Sequence, residues 1–211
     1  MTEVALALIA WLLGLLTPQF VEQIARRYRR PELMRSMSLE LDEQRFTLLT
    51  IRFNLRVRLR QVDREFIAWA ALRARNYHGI NSDTPARQRF IELEGYDDQR
   101  LAALNAPRDD RRSTWFQKVS LPFTSSQVSA WAILSPEVQR RLIEILSRIE
   151  MFNATVDRLH TNFLQSFEPQ ITAENWQALR DNEQIGWSLL DGLAQQAVEQ
   201  IDLLMPMLGS P

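Results

Sequence analysis

The chain of 211 residues contains no cysteine, a single lysine among 25 basic side chains, two histidines and six glycines. Without cysteine there is no disulfide framework, no thiolate metal site and no thiol nucleophile, a composition that suits a reducing compartment. The glycines, at 14, 79, 95, 186, 192 and 209, are too dispersed for a dinucleotide fingerprint or a phosphate loop, so nucleotide-dependent catalysis has no support. A Ser-His-acid site would have to use His78 or His160 without a G-x-S-x-G elbow. Asp157 and His160 form one carboxylate-x-x-His pair, whereas di-iron bundles need two such pairs and further carboxylates. Metal binding is therefore not expected, nor is any other cofactor. Asp97-Asp98 and Asp109-Asp110 read as solvated turns, because adjacent residues do not share a helix face. Asn153-Ala154-Thr155 matches a glycosylation sequon but falls inside a helical heptad pattern. The preference for arginine over lysine matches GC-rich codon usage and points to a bacterial source.

Long apolar runs are also scarce. The longest, Val4 to Leu16, has 13 residues, about 20 Å of helix and too short to cross a bilayer alone. Continuing through Thr17, Pro18, Gln19, Phe20 and Val21 gives 18 residues, about 27 Å against a hydrocarbon layer of ~30 Å. No Lys or Arg precedes Arg26, which rules out a secretory signal with its basic leading region. Arg26, Arg27, Arg29 and Arg30 follow the run directly, and Glu3 is the only charge before it. The positive-inside rule then places the amino terminus outside and the rest in the cytoplasm. The expectation is a single-pass anchor over residues 1–30 in a bacterial inner membrane, with an interface-lying segment and a core helix as the alternatives.

The remaining residues, 31–211, are expected to form one cytoplasmic all-α domain. Leu41, Leu48, Ile51, Leu55, Leu59, Val62, Phe66 and Trp69 fall on one stripe of a helical wheel, which predicts a long helix over 32–76. Within it, residues 51–60 alternate apolar and polar like a strand, but no second convincing strand exists to pair with it. Turn signals mark 77–134 as short helices, about 86–94 and 97–105, followed by an extended connection carrying Trp115, Phe116, Leu121 and Phe123. Ser135-Pro136 opens a helix whose Val138, Leu142, Ile145, Ile149, Phe152, Val156, Leu159 and Phe163 step alternately by four and three. A second helix from Thr172 to just before Pro206 completes an antiparallel hairpin over 136–205.

Charge is unevenly distributed. Residues 1–80 carry 13 basic and 8 acidic side chains, a balance of +5, and residues 81–211 carry 12 and 18, a balance of −6. The acidic hairpin is thus suited to packing on the basic early helix. Arg52, Arg56 and Arg60 lie among Phe46, Leu49, Phe53 and Val57, on a face that the main stripe leaves uncovered. This face is the candidate interaction surface, for self-association or a protein partner, with the short middle helices and the loop carrying Trp115 and Phe116 as the intramolecular cover that would replace it. Membrane lipid is the other expected partner; the dilution of the arginines by acids argues against nucleic acid. The function expected is a non-enzymatic, membrane-anchored scaffold or accessory subunit acting through helix-to-helix contacts. The alternatives are the signal-relaying part of a membrane sensor and a metal-dependent hydrolase built on Asp157 and His160.

Overall fold

The computed structural model describes the backbone of residues 2–79, 82–107, 116–167 and 172–209, and the side chains of that set from residue 28 onward. The described residues are all-α, with no strand among them. Helix α1 spans Thr2–Leu59, α2 Arg64–Arg75, α3 Pro85–Leu93, α4 Asp98–Leu104, α5 Pro122–Ser126, α6 Pro136–Gln165 and α7 Ala173–Leu208. A 3₁₀ turn, η1, covers Val128–Ile133.

Start signals in the sequence become caps in the fold. Ser135 accepts from the Val138 N–H, Thr84 from Arg87 and Thr172 from Asn175, with Pro136 and Pro85 at the first helical turn of α6 and α3. A small polar cap satisfies an otherwise orphaned donor, and proline has no N–H to lose there.

The three long helices form the main core. Leu41, Leu48 and Leu55 of α1, Leu142, Ile145 and Phe152 of α6, and Leu190, Ile201 and Leu204 of α7 are all fully buried in one cluster. Arg45 pairs with Asp202 while Arg52 pairs with Asp191, so α1 and α7 run antiparallel. Since α6 and α7 are consecutive long helices joined by a short connection, α6 runs parallel to α1. The basic early helix therefore lies on the acidic terminal one, in the sense that the charge imbalance favours.

The long helix expected over 32–76 is two helices. α1 ends at Leu59, Arg60 turns into the left-handed region with φ 59°, and α2 restarts under an Asp63 cap. The Gln61 N–H bonds to the Arg56 carbonyl at 2.8 Å and that of Arg60 to Val57 at 3.2 Å, the paired closing bonds of a Schellman ending. Glycine usually occupies that left-handed position; here arginine does. The apolar stripe hides the break. Leu41 to Leu55 enter the main core, but Val62 and Phe66 belong to a second cluster with Leu49, Phe53, Ile67, Phe90 and Leu93. α2 thus folds back along α1, and α3 closes over both.

Two further boundaries differ from the sequence reading. α7 continues through Pro206 to Leu208 rather than stopping before it, because Leu204 and Leu208 both have core contacts to make. α1 likewise runs through Pro31, so residue 30 marks no break in the backbone. The connection from Phe116 crosses the core, with Val119 and Leu121 buried in the main cluster and Phe116 and Phe123 packed against that cluster. Trp115, Asp109 and Asp110 lie outside the described residues.

Among the described residues no helix is long and apolar enough to cross a membrane. The run Val4 to Val21 belongs to the part of α1 whose side chains lie outside the described residues.

Candidate functional site

The face expected to serve as an interaction surface is mostly internal. Leu49 and Phe53 are buried, and Phe46 and Val57 pack against the same second cluster. Phe53 meets Phe66 and Phe90, while Phe46 stacks on Tyr77 at 4.4 Å between ring centroids. The back-folded α2 and α3 cover these side chains, which corrects the expectation that a dimer axis or a partner does so.

The arginines of that face form a clamp between helices. Arg52, only 3% exposed, donates from Nε to Asp191 Oδ1 at 3.0 Å and from Nη2 to Gln195. Its guanidinium lies 4.4 Å from the Trp69 ring centroid, so α1, α2 and α7 converge on one charge. Burial lowers the Arg52 pKa, and Asp191 opposes that shift. Arg56 donates to the other Asp191 oxygen at 3.2 Å and to the Gln61 carbonyl. Arg60 stands apart, exposed at the end of α1.

A second charged group ties the same helices together one end over. Buried Asp42 accepts from Arg45 and from the His78 N–H, and Asp202 accepts from both Arg45 and Arg73. A cavity of about 570 Å³ opens beside it. Two arginines balance two aspartates there, leaving no net charge to recruit an ion.

The sequon and the carboxylate-histidine pair also have places in the fold. Asn153 donates to the Val119 carbonyl and accepts from its N–H, pinning the extended connection to α6. Asp157 pairs with Lys118 at 2.8 Å. Asp97 caps α4, and Asp98 pairs with Arg64. Among the described residues no three His, Cys, Asp or Glu side chains converge to hold a metal ion.

Sequence reasoning missed the groove at the other end of the bundle. It has a volume of about 610 Å³ and lies between α1, at Arg29, Glu32, Leu33 and Ser36, and the α5–η1 segment. Phe123, Gln127, Ala130 and Ile133 form that second wall. Glu40 fixes the two walls to each other, accepting from the Phe123 and Thr124 N–H groups at 2.8 Å each and from the Thr124 hydroxyl at 2.6 Å. Of the four flank arginines, Arg29 and Arg30 are exposed at this end; the side chains of Arg26 and Arg27 lie outside the described residues.

No family model, curated protein or solved structure matches this chain.

Proposed function

We propose that the protein is a non-enzymatic, single-pass inner-membrane scaffold or accessory subunit, with its amino terminus outside and a cytoplasmic helical body that contacts partners helix to helix. The observation that carries this reading is the apolar run Val4 to Val21 with its four-arginine flank, a pattern that favours insertion with the basic side in the cytoplasm. α1 continues from that run into the core without interruption. Supporting a partner contact, Ile185, Leu189, Leu203 and Met207 are exposed on α7. Their spacing of four, fourteen and four residues sets them within about 40° of one another on the helix, facing away from the core.

The continuous α1 also favours a second reading, in which the anchor relays a signal into the bundle. A rigid helix shared by membrane and core couples any displacement of one to the other.

Membrane fractions washed with alkaline carbonate test the anchor: retention is expected, and quantitative release would overturn it. A cysteine introduced at Thr2 should react with an impermeant reagent in intact spheroplasts while one at Gly209 should not. Partner proteins should co-purify after detergent extraction, and Leu203→Asp should release them.

A further inference from the structure

We infer that the groove between α1 and the α5–η1 segment is a binding site for the phosphoethanolamine headgroup of a phospholipid in the adjacent leaflet. The inference rests on the anchor reading of the preceding section. Its geometry follows from the continuity of α1. From Val21 to Arg29 is eight residues, about 12 Å of helix. The headgroup layer on each side of the hydrocarbon is about 5–8 Å thick. Helical side chains lean toward the N-terminus, and arginine reaches several ångströms along that direction. The Arg29 guanidinium therefore falls at the level of the lipid phosphates.

The order of charge along the groove then selects the headgroup. Glu32, on the same wall, stands one turn farther from the membrane, about 4.5 Å along the axis. A phosphoethanolamine headgroup lies nearly flat in a free bilayer; turned upright in the groove it places its phosphate on the membrane side and its ammonium outward, with a similar separation, so its dipole then matches Arg29 followed by Glu32. An ammonium brings three N–H donors. Glu32, Ser36 and Gln127 offer acceptors for them within the groove. A trimethylammonium has no N–H to give, and an uncharged or anionic headgroup brings Glu32 no cation beyond Arg29 and Arg35 of its own helix. Leu33 and Ala130 supply apolar floor for the two methylenes of ethanolamine. The Glu40 bonds to α5 keep this shape fixed before any lipid arrives, which lowers the ordering cost of binding.

The test uses the full chain in detergent, offered an equimolar mixture of phosphatidylethanolamine, phosphatidylcholine and phosphatidylglycerol, with retained lipid read by native mass spectrometry. One phosphatidylethanolamine per chain is expected, favoured at least about tenfold over either competitor. Glu32→Gln should remove the preference over phosphatidylglycerol. Arg29→Gln should reduce retention of all three, and Ala130→Trp should fill the groove and abolish it. All three variants should keep the wild-type helical content. Equal retention of the three lipids would overturn the inference, as would a preference for phosphatidylglycerol or phosphatidylcholine, a phosphatidylethanolamine preference that Glu32→Gln leaves unchanged, or a co-retained polypeptide lost on Ala130→Trp. The carbonate wash separates the two failures: release there removes the anchor and this site with it, whereas membrane retention without lipid preference removes the site alone.

Discussion

Replacing Asp191 by alanine isolates the energetics of the arginine clamp. Asp191 receives Nε donors from Arg52 at 3.0 Å and Arg56 at 3.2 Å, and the Arg52 and Asp191 side chains are only 4% and 10% exposed. Removing one partner of a buried pair typically costs about 3–5 kcal/mol, because the other charge remains out of water. Two features place the expected loss at the low end. Arg52 keeps Gln195 and the Trp69 face, and Arg56, 20% exposed, keeps Gln61 and a 3.4 Å contact to Asp63. A loss of about 3 kcal/mol corresponds to about 6–12 °C in a chain of this size. Thermal unfolding followed by far-ultraviolet circular dichroism of the detergent-solubilised protein measures it. The companion variant Arg52→Met with Asp191→Leu exchanges the pair for apolar volume, which is often neutral or stabilising. Its melting temperature should return most of the way to wild type. An Asp191→Ala protein that melts within about 1 °C of wild type would refute the reasoning, and so would a double variant less stable than the single one.

Three other substitutions probe separate parts of the fold. Phe152→Asp places a carboxylate at a position with no exposed surface, with an expected cost of several kcal/mol; an unchanged melting temperature would show that the heptad seam is not the core. Glu40→Ala removes three charge-assisted bonds to α5, so amide hydrogen exchange over residues 121–134 should accelerate at least tenfold while exchange in α6 stays constant. Arg60→Gly relieves the left-handed backbone at the end of α1 and should raise the melting temperature by about 1–4 °C, for a gain of up to ~1 kcal/mol; a lowered one would mean that the arginine side chain, not the turn, matters there.

Local chemistry was enough to place most of the helices. Periodicity at 3.6 residues, Ser-Pro and Thr-Pro caps and the alternating four-and-three heptad steps are properties of neighbouring residues. They mark out α3, α6 and the start of α7 to within a few positions, and the apolar stripe on either side of 51–60 outweighs its strand-like alternation. The opposite charges of the chain's two ends likewise anticipated the contacts of Arg45 and Arg52 with α7. What the sequence alone could not decide was where a stripe changes partners. Val62 and Phe66 continue the angular pattern of Leu48 and Leu55, so the Arg60 turn is invisible to a wheel. Glycine, the usual marker, is absent, and the Asp63 cap was the one local sign. Only the tertiary structure shows that α2 doubles back, turning Phe46, Leu49, Phe53 and Val57 from a surface into a core. Burial of a side chain depends on which distant segment arrives to cover it, and α1 carries apolar residues on two sides with no local record of which neighbour takes each. The groove at Arg29 arises in the same way, from a glutamate in α1 and a five-residue helix 83 positions away. Their proximity is set by long-range packing, not by any spacing within the chain.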